Sequence, residues 1–261
     1  MLAELFLSIV ARSPWNLRRL GLVQESVGLW SRSRRQKRAW EPHYEKCRSF
    51  VAKIIPDLPQ RRTVAVLGSG LVRDVPIALL AEKFERVLLI DAVHLPNVRL
   101  AMRRYANVEL VTRDLSGVAG WLAGKTDCRE APLDDLIANQ EINFVISANL
   151  LSQLPLPVAN RLADHPSEAK RLPEDLPAKI VGWHLDDLSA FKARVCLLTD
   201  VEMREETSDG RITDRLDLMR GHKLPKPDAS WDWTVAPFGE IDRDHAYVHR
   251  VQAYARFKPG G

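Results

Sequence analysis

The chain has 261 residues, of which 46% are hydrophobic, and a net charge of +4. It is long enough to bury one full core and fits a single α/β domain with an N-terminal extension better than two equal domains. Three scattered cysteines without metal-ligand spacing argue against a disulfide framework and a zinc site and favour a cytoplasmic location. No apolar run approaches the roughly 20 residues that a membrane-spanning helix needs.

The N-terminal part of the chain reads as helices without a strand. Apolar residues from Leu2 to Val10 follow helical spacing and predict an amphipathic helix. A weaker apolar stretch runs from Leu20 to Trp30. Trp40 then opens a stronger helix, with Pro42 near its first turn, where a missing N–H is tolerated. We therefore expect residues 1–60 to form a helical extension or lid.

The positive charge is concentrated in the same part of the chain. Residues 1–55 carry a net charge of +7, whereas the remainder carries −3. The densest basic run extends from Arg32 to Arg38. Such a run can attract nucleic acid, anionic lipid or an acidic substrate. A solvated helix face or linker is the plainer interpretation, and both remain open at this point.

Strand-like and helical patterns alternate through residues 61–261. This alternation predicts a doubly wound α/β domain with a mostly parallel sheet. The last two strand-like runs have only a loop between them, so they are expected to pair antiparallel as a hairpin. The seven strand-like runs begin at Thr63, Val87, Val108, Ile142, Arg194, Trp231 and Ala246.

Gly68, Ser69 and Gly70 directly follow the first apolar run. A helical pattern from Val75 to Phe84 comes soon after them. Glycine lets the backbone bend sharply and lets a ligand approach without a Cβ in the way. The N–H groups of such a turn, and of the helix expected after it, suit an anionic or nucleotide-like group.

Polar residues follow the next three strand-like runs. Asp91 ends the second run and lies 21 residues after Gly70, a suitable separation for a carboxylate that accepts both hydroxyls of a ribose. Asp114 follows the third run and has the chemistry to accept from an adenine amine, while Asn149 follows the fourth. Because ligands of open α/β sheets bind beyond the carboxyl ends of the strands, these residues predict one site. For each acid alone, a helix cap or turn is the competing interpretation.

With these features, residues 60–257 resemble the class I S-adenosylmethionine-dependent methyltransferases. The resemblance implies a seven-stranded sheet in the order 3-2-1-4-5-7-6, with strand 7 antiparallel, and S-adenosylmethionine as the cofactor. In that family the glycine turn holds the methionine part, the acid after strand 2 the ribose, the residues after strand 3 the adenine, and the loop after strand 4 faces the methyl group. The corresponding residues here are Gly68, Ser69, Gly70, Asp91, Ala92, Asp114, Leu115, Asn149 and Leu150.

Two positions depart from the family pattern. Val66 stands where the family often has an acid, which leaves Asp74 or backbone carbonyls as partners for the cofactor's amino group. Val72 stands where a third glycine is usual. A nicotinamide dehydrogenase, the main rival within the fold, would need glycine at Arg73. A non-catalytic cofactor-binding module that docks on a partner is the rival from another class.

The methyl acceptor is expected near the N-terminal helices. Trp40, His43 and Tyr44 have i, i+3 and i+4 spacing and so project from one helix face, which we expect to close the acceptor pocket. Asn149, Tyr44 and His43 are the candidate catalytic residues, and no metal is expected. A small-molecule acceptor is preferred to RNA because the sequence lacks an aromatic platform for single strands. Further candidate substrate-side groups are His94, Gln153, Asp200 and His245.

Overall fold

The computed structural model of the chain describes residue 14, residues 17–18, residues 20–165 and residues 172–258. The amphipathic helix predicted from Leu2 to Val10 lies outside the described residues. The described elements, in chain order, are α1 (Leu22–Arg35), α2 (Lys37–Ile54), β1 (Thr63–Leu67), α3 (Ile77–Lys83), β2 (Arg86–Asp91), α4 (Pro96–Met102), β3 (Val108–Thr112), α5 (Ala119–Leu122), α6 (Asp134–Ala138), β4 (Ile142–Ala148), α7 (Leu156–Asp164), α8 (Leu176–Ala190), β5 (Arg194–Thr207), β6 (Ile212–Asp217), β7 (Ala229–Ala236) and β8 (His245–Tyr254).

The strands form one sheet in the order β3-β2-β1-β4-β5-β8-β7, with β6 paired to β5 outside this path. Strands β1 to β5 are parallel, whereas β8 runs antiparallel to β5 and β7 runs antiparallel to β8. The prediction of a mostly parallel α/β sheet that closes with an antiparallel hairpin is confirmed.

Helices cover both faces of this sheet, and each face has its own hydrophobic cluster. Every residue of β1 is buried, which is expected of a central parallel strand. Val64 and Val66 point to the face that packs Cys47 and Val51 of α2. The alternate residues of β1 point to the other face, which carries α8. The N-terminal helix α2 is thus part of the main core.

Helix α2 begins earlier than the sequence indicates. The prediction of Pro42 near the first turn is wrong, because the helix starts at Lys37 and Pro42 lies inside it. The basic run from Arg32 to Arg38 spans the end of α1 and the start of α2. Within that run Arg35 pairs with Glu240 at 2.7 Å.

The sheet has eight strands rather than the seven expected. Strand β5 begins at Arg194, as the sequence predicts, and continues to Thr207, and its second half pairs with β6. Every residue of β6 is exposed, so this strand lacks the apolar alternation by which a sequence reveals a half-buried strand. A register shift between Asp200 and Glu202 marks the point where β5 leaves the parallel part of the sheet.

Candidate active site

The glycine turn joins the carboxyl ends of β1 and β2. Gly68 and Gly70 have φ angles of 75° and 46°, which favour glycine. The Gly68 N–H donates to the carbonyl of Ile90 at 2.9 Å, and the Gly70 N–H donates to Oδ2 of Asp91 at 2.7 Å. The 21-residue separation therefore does bring the turn and the acid of β2 into direct contact.

The helix after this turn starts later than expected. The sequence predicts a helix from Val75 to Phe84, but α3 runs only from Ile77 to Lys83. The segment between Gly70 and α3 is irregular, and Val72 has a φ of 57°. The glycine turn thus does not open directly into a helix, and its binding capacity depends on its own N–H groups and neighbouring side chains.

The carboxylate of Asp114 is engaged in local structure. Its Oδ1 accepts from the backbone N–H of Ser116 at 2.9 Å, and its Oδ2 accepts from the N–H of Ala119, the first residue of α5, at 2.8 Å. These bonds hold the turn before α5, which is the local structural role that the sequence leaves open for each acid. Leu115 is buried beside it, and Ala92 lies half-buried after β2.

Asn149 links the loop after β4 to the segment after the glycine turn. Its φ of 49° lies in the left-handed region, which asparagine tolerates better than most residues. Its Nδ2 donates to Oδ2 of Asp74 at 2.9 Å. Burial raises the pKa of Asp74 to about 6, although the bond from Asn149 opposes the shift. Leu150, the next residue, packs so closely on Gly68 that a Cβ built there would lie 2.7 Å from the Cβ of Leu150.

Four buried polar atoms at this edge of the sheet have no hydrogen-bond partner among the described residues. They are Oγ of Ser69, Nδ1 of His94, Oδ1 of Asn149 and Nε1 of Trp233. Buried polar groups are normally paired, since an unpaired one costs about 1–3 kcal/mol. Four such atoms around one edge of the sheet indicate a place where a polar ligand would complete the hydrogen bonding.

The predicted face of α2 is buried against β7. Trp40, His43 and Tyr44 are 1%, 2% and 7% exposed, respectively. The indole Nε1 of Trp40 donates to the carbonyl of Val235 at 3.0 Å. The ring of His43 stacks on that of Trp233, with centroids 4.0 Å apart. The three residues do share one face, and that face meets the aromatic residues of the C-terminal hairpin.

His43 is a buried, neutral imidazole. Its Nδ1 accepts from Nε1 of Trp231 at 3.2 Å, so the neutral ring carries its hydrogen on Nε2. That nitrogen lies 3.6 Å from Sγ of Cys47 and 3.4 Å from Nδ2 of Asn149. Burial lowers the pKa of His43 to about 4, although Asp200 opposes the shift. The structure thus brings together two of the candidate catalytic residues, His43 and Asn149.

Tyr44, the third candidate, lies on the same side of α2. Its ring meets that of His43 with centroids 5.7 Å apart. Burial raises the pKa of its hydroxyl, and the nearby carboxylate of Asp74 raises it further. The hydroxyl therefore keeps its proton under ordinary conditions and is available as a hydrogen-bond donor.

The sequence-based candidates did not include His249, which the structure places beside Asp200. His249 Nδ1 lies 2.5 Å from Oδ2 of Asp200, and Oδ1 of Asp200 accepts from the hydroxyl of Ser152. Asp200 is 1% exposed. Burial tends to raise its pKa, but the contact with His249 and the hydrogen bond from Ser152 outweigh burial and keep the pKa low. No motif marks His249, because strand pairing brings it to Asp200.

The remaining candidate substrate-side groups lie in different surroundings. His94 is fully buried, and its Nε2 lies 3.1 Å from the carbonyl oxygen of Val111. His245 contacts Asp242 at 3.1 Å. Gln153 is exposed.

A cavity of about 790 Å³ lies at the opposite edge of the sheet, where β4 and β5 begin. Its lining includes Ile142 and Arg194 at these strand starts and the basic residues Lys192, Arg256 and Lys258. None of the predicted cofactor residues lines it. The candidate active site is therefore defined by the chemistry at the carboxyl edge and not by this cavity.

Within the described residues, His, Cys, Asp and Glu side chains do not gather in groups of three or more that could hold a metal ion. In the same part of the chain, no helix is both long and apolar enough to span a membrane.

The order and directions of the strands are those of the class I S-adenosylmethionine-dependent methyltransferase fold, with β6 added to β5. The glycine turn after β1, the acid after β2 and the polar loop after β4 meet at the carboxyl edge, where ligands of open α/β sheets bind.

No family model and no curated protein matches the sequence. Among solved structures, a Burkholderia thailandensis 1,6-didemethyltoxoflavin-N1-methyltransferase with bound 1,6-didemethyltoxoflavin and S-adenosylhomocysteine is similar at 16% identity and a TM-score of 0.41, over 87% of this chain and 86% of that one. A DhpI-SAM-HEP complex is similar at 13% identity and a TM-score of 0.41, over 92% of this chain and 99% of that one. The N-methyltransferase NodS from Bradyrhizobium japonicum WM9 is similar at 8% identity and a TM-score of 0.35, over 80% of this chain and 86% of that one. The strand order, rather than these likenesses, defines the fold.

Proposed function

We propose that the protein is an S-adenosylmethionine-dependent methyltransferase that acts on a small molecule. The observation that carries the proposal is the 2.7 Å bond from the Gly70 N–H to Asp91 at the carboxyl edge of a sheet with methyltransferase strand order. This contact places a carboxylate beside a backbone turn built on two glycines. A nucleoside with an amino acid tail needs both features, an acceptor for its ribose and an open backbone for its tail.

The residues at this edge fit the cofactor. Asp91 has acceptor capacity beyond its bonds to Gly70 and Val93, because a carboxylate offers about four lone pairs. Ser69 Oγ and Asn149 Oδ1 are buried and unpartnered, which supports a polar group between the turn and the loop after β4. These residues, with Gly68, Ala92, Asp114, Leu115 and Leu150, are the ones we expect to hold it.

Asp74 is well placed to replace the acid that is missing at Val66. Its hydrogen bond from Asn149 sets it between the glycine turn and the loop after β4. An ionised carboxylate there would attract the cofactor's ammonium group, and that cation would in turn lower the pKa of Asp74 from its raised value of about 6. Asp74 would then supply the negative charge that the family often has at the position of Val66, and no backbone carbonyl would be needed as a substitute.

When bound, S-adenosylmethionine supplies an electrophilic methyl group, which bonds to a lone pair of the acceptor while the electron pair of its carbon–sulfur bond stays on sulfur. The residues of this chain then have to orient the acceptor and exclude water. Asn149 would do so from the loop after β4, and Tyr44 and His43 from α2, where the Tyr44 hydroxyl can donate to the acceptor and the neutral His43 adds no charge.

Part of the basic N-terminal run is engaged within the chain, which favours a small acceptor over RNA. Arg35 pairs with Glu240 at 2.7 Å, and Gln36 donates to the same carboxylate at 2.5 Å. The guanidinium of Arg34 lies over the ring of Trp30, 4.9 Å from its centroid. These contacts support the interpretation of the run as a helix surface, and a small-molecule acceptor remains the better proposal.

Isothermal titration calorimetry of the full chain with S-adenosylmethionine and S-adenosylhomocysteine tests the cofactor. We expect saturable binding with Kd between roughly 1 μM and 1 mM, the usual range for enzyme substrates. Asp91→Ala should weaken binding about 10- to 100-fold, because a hydrogen bond to a charged group contributes about 1.5–3 kcal/mol. No binding of either compound at millimolar concentration would contradict the proposal.

Two further variants control for indirect effects. Asp91→Asn keeps an acceptor oxygen for the Gly70 N–H and so separates loss of the ribose contact from loss of the turn. Glu109→Ala removes an exposed acid that pairs with Arg86 where β3 and β2 begin, at the opposite edge of the sheet, and should leave the affinity unchanged within about twofold. Equal losses of affinity in Asp91→Ala and Glu109→Ala would show that Asp91 does not bind the cofactor directly.

A further inference from the structure

Asp200 and His249 form a buried carboxylate–imidazole pair that the proposed function does not yet use. Asp200 is 1% exposed and receives two hydrogen bonds, one from Ser152 and one from Nδ1 of His249. A buried carboxylate is costly unless it is paired and hydrogen-bonded, and both donors meet that need. The carboxylate in turn fixes the plane and the tautomer of the imidazole.

The geometry leaves the second nitrogen of His249 available. Because Nδ1 faces a carboxylate, the neutral ring carries its hydrogen on Nδ1 and a lone pair on Nε2. Among the described residues, Nε2 has no hydrogen-bond partner, and the side chain is 12% exposed. An imidazole oriented by a buried carboxylate, with an open Nε2, is the arrangement in which histidine serves as a proton acceptor.

The pair borders the candidate active site. Ser152 belongs to the same loop after β4 as Asn149, so this loop touches both Asp74 and Asp200. Trp233 stands opposite His249 in the β7–β8 ladder, and their ring centroids are 5.9 Å apart. The unpartnered Nε1 of Trp233 lies in this same group of residues.

Titratable groups of β5 and α2 approach His249 on its own sheet face. The carboxylate of Asp200 of β5 contacts it, and the neutral imidazole of His43 of α2 lies near it. Arg250, the next residue of β8, alternates to the other face and pairs there with Asp232 at 3.0 Å. His43 is a poor alternative base, because its Nδ1 is occupied by Trp231 and burial lowers its pKa to about 4.

We propose that His249 accepts at Nε2 the proton of a hydroxyl group on the methyl acceptor, and that Asp200 is the positioning residue that holds the ring. This proposal rests on the proposed function and narrows its substrate class. The acceptor O–H bond breaks, its proton goes to Nε2, and its electron pair stays on the oxygen that gains the methyl group. A thiol or a neutral amine needs little such help, so a dedicated base indicates a hydroxyl acceptor.

His249→Asn is the decisive variant. Asparagine can still donate toward Asp200 but has no group at the position of Nε2. With S-adenosylmethionine, and with phenol and thiophenol as matched probes, we expect methylation of phenol to fall about 100- to 10,000-fold, the usual contribution of general base catalysis. Methylation of thiophenol should change less than about threefold. Retention of phenol methylation, or equal loss with both probes, would overturn the proposal.

A second measurement does not depend on turnover. In nitrogen-15 NMR of the full chain, the neutral ring of His249, assigned by its disappearance in His249→Asn, should carry its hydrogen on Nδ1. In Asp200→Asn the ring hydrogen of His249 should move toward Nε2, because the new amide can donate to Nδ1. A hydrogen on Nε2 in the unmodified protein would overturn the proposal.

The affinity for S-adenosylhomocysteine separates this proposal from the proposed function. We expect His249→Asn and His165→Asn, which changes an exposed histidine at the end of α7, to bind it within about threefold of the unmodified protein. Lack of binding by the unmodified protein would contradict the methyltransferase itself. Normal binding, together with phenol methylation that His249→Asn leaves unchanged, would contradict only the role of His249.

Discussion

Val72 is a β-branched residue held in the left-handed region of backbone space, with a φ of 57°. Its Cβ crowds the adjacent backbone there, and such residues typically cost about 1–3 kcal/mol. The family to which the sequence is similar usually has glycine at this position. The turn therefore keeps the backbone shape expected of glycine, although the residue differs. Burial of the side chain, which is 9% exposed, offsets part of the strain.

This strain predicts that glycine is a more stable replacement than alanine at position 72, which is the reverse of the usual order. Val72→Gly and Val72→Ala both lose the buried methyl groups, but only alanine keeps a Cβ in the left-handed region. We therefore expect Val72→Gly to have the larger free energy of unfolding, by about 1 kcal/mol. Urea denaturation followed by far-ultraviolet circular dichroism measures the difference.

Val75 provides the matched control, because it is 1% exposed and has a negative φ. There the usual order should hold, with Val75→Ala more stable than Val75→Gly by about 0.5–1 kcal/mol. If alanine were the more stable replacement at both positions, the strain at Val72 would be refuted.

At the scale of elements, helix α2 brings part of the described N-terminal region to the site. Cys47, Val51 and Ile54 pack in the same hydrophobic cluster as β1, and Trp40 donates to the carbonyl of Val235 in β7. A lid that opens widely would have to expose these side chains. We therefore expect this helix to hold the acceptor side of the site in place and to unfold together with the sheet.

Trp40→Ala tests this attachment. The change removes a fully buried indole, and such substitutions cost about 3–5 kcal/mol. We expect a loss of that size in one cooperative transition, measured by urea denaturation with circular dichroism. Leu29→Ala on α1 is the control, because Leu29 is 41% exposed and its replacement should cost less than about 0.5 kcal/mol. A separate early transition of helical signal in Trp40→Ala would instead favour an independent extension.

Buried elements are easier to predict from the sequence than exposed ones. The run from Val64 to Leu67 is apolar because β1 is buried on both faces, so the sequence predicts it almost to the residue. Strand β6 carries exposed residues without a strand-like apolar pattern, and only its pairing with the second half of β5 reveals it, while that half of β5 pairs on its other side with β8. The start of α2 was placed too late because Pro42 is typical of a first turn but lies inside this helix.

At the scale of the whole molecule, some contacts of the candidate site can be predicted from the sequence and others cannot. The contact between Gly70 and Asp91 follows from neighbouring parallel strands, so spacing along the chain predicts it. The contact between His43 and Trp231 joins residues 188 positions apart, through the packing of α2 on the hairpin. No local pattern encodes such a contact, and for the same reason His249 was missed.

Buried titratable groups make the stability of the fold depend on pH in two opposite ways. Burial lowers the pKa of His43 to about 4 and that of His184 to about 3. The contribution of these two groups to the free energy of unfolding therefore falls as the pH drops below about 6.5. Burial raises the pKa of Asp74 to about 6, so the contribution of this carboxyl group to the free energy of unfolding falls as the pH rises from about 4 toward that value. The two effects oppose each other between about pH 4.5 and 6.

A comparison of variants isolates one of these contributions. His184 is 1% exposed and its Nε2 lies 3.0 Å from the hydroxyl of Ser147, a contact that glutamine can retain. Between about pH 6 and 4 the unfolded chain binds a proton at His184 that the folded protein excludes. The free energy of unfolding should therefore fall with decreasing pH more steeply in the unmodified protein than in His184→Gln, by up to about 1.4 kcal/mol per pH unit. Urea titrations across this range measure both slopes. His165→Gln, at an exposed position, should keep the slope of the unmodified protein, and parallel slopes in all three proteins would show that His184 is protonated in the fold.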